Sequence, residues 1–288
     1  MKVICFDIGG TNLRAALIND KYEVLKVNKV PTLHQGNDIL IAQIVALIHE
    51  MSEGEKEICN VVFGVPGRVS KHNFYIDELP NVGVKNLDLK AAIGEVFPHL
   101  TVYVYNDAEI AGLYEATVGK GRGYKRVYYV TISTGLGACL FVNKVWTPSS
   151  YEVGHTLVPY NGSYYELEHI ASGTGLVKLA SLNNLSITSS KAFFEGFKMQ
   201  MPLFANTFEE WMKVLSEFFR STYDLFEPEV VVIGGGVAFC ADYFIHSLRR
   251  RNKYMKFEIS SKIDDAGLLG CVSLIELIKK NKNPFENE

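Results

Sequence analysis

One design occurs twice in this chain, and it constrains the fold more than any other feature. Residues 3–21 read "VICFDIGGTNLRAALINDK" and residues 127–145 read "VYYVTISTGLGACLFVNKV". Each is an apolar strand, a short turn carrying Gly and Thr, and a second apolar strand that begins too soon for a crossover helix. A repeated supersecondary unit at this distance predicts two lobes of related fold. The 288 residues are ample for two such lobes, each with its own core.

The surrounding pattern agrees. Residues 2–6, 13–18 and 22–27 read as three strands joined by tight turns, an antiparallel meander. Apolar residues at helical spacing follow over 37–51. "ICNVVFGV" is a buried strand, "LDLKAAIGEVF" a helix, "TVYVYND" a strand and "DAEIAGLYEATV" a helix. After the second glycine hairpin come helices, among them one opened by a capping-box pattern at Thr207-Phe208-Glu209-Glu210 and running to about Phe226. A strand then enters Gly234-Gly235-Gly236, a helix covers about 241–250, and "DDAGLLGCVSLIELIKK" is a last amphipathic helix. The tail after it has little to bury and is expected to fray. The expected boundaries are 1–118 for a first lobe, joined by helix 265–282, and 119–264 for a second.

Composition removes several classes of function. Net charge is −3, so no basic field draws nucleic acid or an anionic membrane. Lys120-Gly121-Arg122 and Arg249-Arg250-Arg251 read as local basic surface. The five cysteines, at 5, 59, 139, 240 and 271, are too scattered for a zinc knuckle or a disulfide framework. The opening is a strand pattern rather than a leader, and no apolar run is long enough to span a bilayer. A soluble, cytoplasmic protein is expected.

Glycines at 9 and 10 leave their amides accessible, and with the Thr11 hydroxyl they can face an anion as an amide nest. Asp7 beside a phosphate makes sense with a Mg²⁺ between them, held through water. Thr134 and Gly135 repeat the arrangement, and Gly234, Gly235 and Gly236 give a third glycine turn where an adenine or ribose can lie against backbone. A lone Gly-Gly after a strand is most often only a tight turn; the conjunction points to a polyphosphate. No P-loop sequence and no dinucleotide-type glycine motif occurs. Asn106-Asp107 closes a strand and opens a helix, where Asp serves equally as an N-cap. Glu152, His155 and Glu168 form a second polar set, readable as an exposed loop or as carboxylates that accept hydrogen bonds from vicinal hydroxyls.

Taken in order, "DIGGTNLR", "GVPG", "LPN", "YNDAEIAGLYEA", "STGLG", "EVGH", "LEHIASG" and "VVIGGGVA" resemble the ROK family of sugar kinases and sugar-responsive repressors, from residue 2 to about 275. The resemblance implies an α/β, two-lobed actin-like or hexokinase (ribonuclease H-like) fold with a cleft between lobes. It implies an ATP- and Mg²⁺-dependent kinase for a hexose or N-acetylhexosamine, with a small-molecule sugar as partner and a homodimer as the common assembly. Asp107 then takes the proton from the attacking hydroxyl. Asn106, Glu152, His155 and Glu168, and more loosely Asn81, contact the sugar. Asn12 stands beside the nucleotide where Lys is frequent, and Ser133 and Cys139 where Gly is frequent. The family's repressors carry a DNA-binding segment ahead of the first strand, so this pattern favours a kinase over a regulator; a sugar sensor on the same fold and a sugar-free ATPase are the rivals. Many members hold a structural zinc through this His and three cysteines. The interval Thr156–Glu166 has none, so no zinc is expected, and Tyr160, Tyr164 and Tyr165 are expected to order the loop by packing. Aromatics between Phe193 and Phe204 are expected at an interface.

Overall fold

The computed structural model describes residues 1–67, 69–70, 75–79, 82–146 and 152–280. The chain divides into two compact units, Met1–Thr117 together with the segment from Asp265 onward, and Val118–Asp264.

The first unit begins with β1 (Lys2–Ile8), β2 (Asn12–Asn19) and β3 (Val24–Pro31), followed by α1 (Asn37–Ser52), β4 (Ile58–Val65), the small antiparallel pair β5 (Ile76–Leu79) and β6 (Val84–Leu87), α2 (Leu89–Val96), β7 (Thr101–Asn106) and α3 (Asp107–Thr117). The second unit runs β8 (Arg126–Ile132), β9 (Leu136–Val142), β10 (Val145–Trp146), β11 (Leu157–Tyr160), β12 (Ser163–Glu166), α4 (Glu168–Ala171), α5 (Gly173–Leu182), α6 (Ser190–Phe197), α7 (Pro202–Phe226), β13 (Val230–Gly234), α8 (Ala241–Arg251) and β14 (Phe257–Ile259), and α9 (Ala266–Lys279) returns to the first.

The predicted repeat is visible in the sheets. The first has strand order β3-β2-β1-β4-β7 and the second β10-β9-β8-β13-β14. In each, a hairpin pairs antiparallel, and the strand preceding the glycine turn also pairs parallel with a later strand. Val3, Ile4, Cys5 and Phe6 of β1 are all fully buried, as a central strand covered on both faces requires. Phe6 stacks on Phe63 at 4.7 Å between ring centroids. Helices α3 and α9 approach so closely that a Cβ at Gly270 would lie 1.9 Å from the Ile110 carbonyl oxygen. The second core is aromatic: Trp211, Phe193, Phe194, Phe219 and Phe244 are fully buried, and the Trp211 indole N–H donates to the Ala171 carbonyl at 3.0 Å.

Three expectations are corrected. The third strand starts at Val24, because Tyr22 takes a left-handed φ of 62° and donates its N–H to Asn19 O in the turn. The helix expected from Thr207 starts at Pro202 instead; proline is pre-organised for a first helical position, and the Thr207 hydroxyl donates back to Leu203 O at 2.9 Å rather than capping. Phe193 and Phe194 are core residues, and Phe197 stacks on Phe208 at 4.5 Å, so these rings are spent inside the unit. The tail 281–288 lies outside the described residues.

Candidate functional site

In the first unit, β1 stops at Ile8 and β2 resumes at Asn12, and the Gly9 N–H closes the turn on Asn12 O at 2.9 Å. The turn's carbonyl oxygens are occupied from one side: the Thr32 hydroxyl donates to Gly9 O at 2.7 Å and the Thr32 N–H to Thr11 O at 3.0 Å. Thr11 is exposed and Gly10 half-buried. The second unit treats its turn the same way. Gly173 N–H donates to Ser133 O at 2.7 Å, and the Thr174 hydroxyl to Thr134 O. Carbonyl oxygens repel an anion, so fixing them to donors within the unit leaves the turn's amides the better face for phosphate.

Asp7 lies near the end of β1. Its carboxylate oxygens are 3.7 and 3.9 Å from where a Cβ on Gly267 would sit, which puts the group against the first turn of α9. Arg14 Nη1 is 3.9 Å from Asp7, while its Nη2 donates to Asp265 at 2.7 Å. Burial pushes the Asp7 carboxyl above its ordinary value, and the charges of Arg14 and Lys29 pull against that. Mg²⁺ takes hard oxygen ligands, and a carboxylate beside an exposed turn suits it.

At the junction of β7 and α3, the Asn106 side chain takes the capping role. Its Oδ1 accepts from the Ala108 and Glu109 N–H groups at 2.9 and 3.3 Å, and its Nδ2 donates to Gly67 O at 3.0 Å. Asp107 becomes the first helical residue, its Oδ1 accepting from Ala108 N–H at 2.8 Å. A carboxylate there is favoured by the helix dipole.

In the second unit the glycines are explained by Glu168. A Cβ at Gly135 would sit 2.7 Å from Glu168 Oε2, and one at Gly154 would sit 3.0 Å from it and 2.5 Å from Leu136 O. Leu136 N–H donates to the same Oε2 at 3.3 Å. Two glycines and an amide therefore fix this carboxylate beside the second turn. Glu152 is half-buried and precedes the 3₁₀ turn Val153–His155. His155 Nδ1 is 3.2 Å from Glu166 Oε2, and His169 Nε2 is 3.6 Å from the same oxygen. Glu166 and His169 were not among the expected site residues. Glu166 reaches His155 because β11 and β12 form a hairpin that pairs Leu157 with Glu166, a register that composition does not announce, and His169 in α4 lies three residues beyond it. Tyr160 and Tyr165 do meet in that hairpin, edge to face at 6.1 Å, while Tyr164 is exposed. The donors gathered around His155 are nitrogen and carboxylate oxygen, with no thiol in the interval 156–166, so a thiolate-rich closed zinc centre does not fit this loop.

The third glycine turn divides by residue. A Cβ at Gly234 would meet the Tyr129 hydroxyl at 2.3 Å, and Gly235 has φ +81° with Ile132 O and Thr131 Oγ1 at 2.6 Å from its Cβ position. These two are glycine for internal packing. Gly236 is exposed with nothing within 4 Å of its Cβ position, so it is the one of the three open to a ligand. Asp7, Gly9–Asn12, Asn106 and Asp107 belong to the first unit, and Thr134, Gly135, Glu152, His155, Glu168 and Gly234–Gly236 to the second. Asn81 lies outside the described residues. Among the described residues no helix is long and apolar enough to cross a membrane.

Comparison with known proteins gives a consistent answer. The model of the ROK family matches residues 3–277. A glucokinase from Halalkalibacterium halodurans is 25% identical over 97% of this chain and 96% of its own length. A putative xylose repressor from a Caldicellulosiruptor species is 24% identical over 95% of this chain and 77% of its own. Among solved structures, a ROK family glucokinase from Streptomyces griseus in complex with glucose and AMPPNP superposes with a TM-score of 0.81 at 24% identity, covering 95% of this chain and 99% of that one; at that identity the likeness carries the fold.

Proposed function

The chain belongs to the ROK family, and on that premise we propose that it is an ATP-dependent carbohydrate kinase that phosphorylates a hydroxyl of a hexose or N-acetylhexosamine. The observation that carries the reading is the fixed carboxylate of Glu168, wedged by Gly135 and Gly154 and held by the Leu136 amide. A carboxylate fixed in this way selects among hydroxyl patterns, which an apolar wall does poorly. Glu152 and His155 are proposed to share the sugar hydroxyls with it, and the remaining Asn106 amide hydrogen and Asn81 to add to them.

Asp107 is the proposed general base. Its modest basicity suffices, since in a loose phosphoryl-transfer transition state the hydroxyl loses its proton late. Asn106, by capping α3, sets where that carboxylate sits. The Gly10 amide with the Thr11 hydroxyl, and the amides of Thr134 and Gly135, are proposed to hold the phosphates, while the Gly9 N–H, expected to face the anion, is committed to Asn12 O and closes the turn; Asn12 lies alongside and Gly236 beside the nucleoside. Asp7 would hold Mg²⁺ through water; when bound, the ion neutralises charge on the β- and γ-phosphates. The relative's complex with glucose and AMPPNP supports ATP as donor. Activity in a reducing cytosol accords with the five free cysteines.

A second reading, a sugar sensor without catalysis, draws support from the repressor relative. ADP release measured over a panel of hexoses and amino sugars separates the two. Sugar-stimulated release is expected. Tight sugar binding with no release by any sugar would select the sensor, and release indifferent to every sugar would reject both.

A further inference from the structure

We propose that the second unit carries a binding site for a small amphipathic anion, an aromatic carboxylate, separate from the groups assigned to sugar and phosphate. A cavity of about 450 Å³ is lined by residues of the β11–β12 hairpin, α4 and α5, a volume in the range that takes small organic ligands. Ile170 of α4 and Leu179 of α5 are buried and give it an apolar floor. Tyr160 and Tyr165 of the hairpin add two rings, edge to face at 6.1 Å, and Leu182 adds an exposed apolar rim. None of the residues assigned above to the sugar, the phosphates or the nucleoside lines it.

The walls are held by the protein itself. The Tyr160 hydroxyl donates to Glu210 Oε2 at 2.8 Å, and Asn183 Nδ2 donates to the same oxygen at 3.0 Å, which ties the hairpin and the end of α5 to α7. A wall fixed in advance spares a ligand the cost of ordering it. Charge then selects the ligand class. The acids adjoining the lining are engaged: Glu210 by those two donors, and Glu166 by His155 at 3.2 Å and His169 at 3.6 Å. Lys178 lines the cavity from the exposed side of α5 and makes no ion pair among the described residues. Ser181, three residues on and so on the same helix face, adds a hydroxyl. A flat apolar body suits the two rings, and a carboxylate on it suits the ammonium and the hydroxyl, a charge-assisted contact that a neutral ligand lacks.

The proposal is independent of the kinase reading and is tested without an activity measurement. The full chain is titrated with 2-naphthoate by calorimetry, with neutral 2-naphthylmethanol as the control for charge. One saturable naphthoate site per chain is expected, unchanged by saturating glucose or ATP, and the neutral compound should bind about 10-fold more weakly, the scale of one hydrogen bond to a charged group. Lys178→Gln should cost naphthoate about 10-fold and the neutral compound little. Leu182→Glu, which sets a carboxylate at the rim, should also weaken naphthoate. Both positions are exposed, so both variants should keep the circular dichroism and Tm of the parent. Absence of saturable uptake, displacement by glucose or ATP, or affinity unchanged in both variants would overturn the proposal. So would a dimer, seen by sedimentation, that Leu182→Glu converts to monomers, since a second copy would then fill the cavity.

Discussion

On the proposed reading, Asp7 serves the metal at the expense of stability. Burial raises its folded-state pKa, so the folded chain holds a proton there more tightly than the unfolded chain does. Stability is then lost as pH rises from the ordinary carboxylate value through the raised one, and at neutral pH the charge is a net cost to folding. Asp7→Asn should therefore raise Tm at pH 7, with the gain disappearing in acid, while sugar-dependent ADP release falls. Thermal unfolding at both pH values checks this; a lower Tm for the variant at pH 7 would mean that the carboxylate's contacts with Arg14 and α9 outweigh its desolvation. Gly135 makes a second residue-scale case. A methyl there would press on Glu168 Oε2 at 2.7 Å and turn the carboxylate away from its amide. Gly135→Ala should raise the sugar KM about 10-fold, the worth of one charged hydrogen bond at ~1.5 kcal/mol, with a smaller effect on ATP. An unchanged KM would remove Glu168 from the sugar.

At the scale of elements, helix α3 carries Asp107 and its position depends on α9. The two helices touch through Gly270, where a Cβ would fall 1.9 Å from Ile110 O, a backbone atom that cannot step aside. Gly270→Ala should cost about 3 kcal/mol, the upper end for overpacking a core, read by denaturant unfolding. A cost under 1 kcal/mol would show that the contact relaxes and that α9 does not fix the position of α3. The elements also explain what a reader of the sequence can and cannot see. The two glycine hairpins were legible because an apolar run, a turn residue and a second apolar run leave one cheap solution. Asp107 was legible as a helix opener but not as the residue after the cap, because Asn and Asp cap equally well and only the hydrogen bonds of Asn106 decide. The start of α7 was misread because Thr207-x-x-Glu210 has the spacing of a capping box while its threonine bonds backwards into a helix already under way. Glu166 was invisible because a hairpin register, not a sequence spacing, brings it to His155, and His169 follows only as its i,i+3 neighbour.

At the scale of the molecule, the duplicated sheet order supplies two glycine turns of one design, one in each unit, both with their carbonyl oxygens engaged by donors of their own unit. On the kinase reading, these two turns are the proposed phosphate contacts of a chain that has no P-loop sequence. The units have also diverged in task. The first keeps an acid at the helix that follows its last strand, and the second gains the hairpin and short helix that bring His155, Glu166 and Glu168 together. On the kinase reading, the first unit supplies the base, with Asn106 and Asn81 as lesser sugar contacts, and the second supplies the carboxylate and imidazole contacts to the hydroxyls. Loss of the base should then spare binding and remove chemistry. The most direct measurement is single-turnover phosphoryl transfer by Asp107→Asn beside calorimetric sugar binding. The account predicts a rate reduced by ~10²–10⁴-fold, the usual worth of general base catalysis, with sugar affinity within a few-fold of the parent. Transfer at near the parent rate would contradict it.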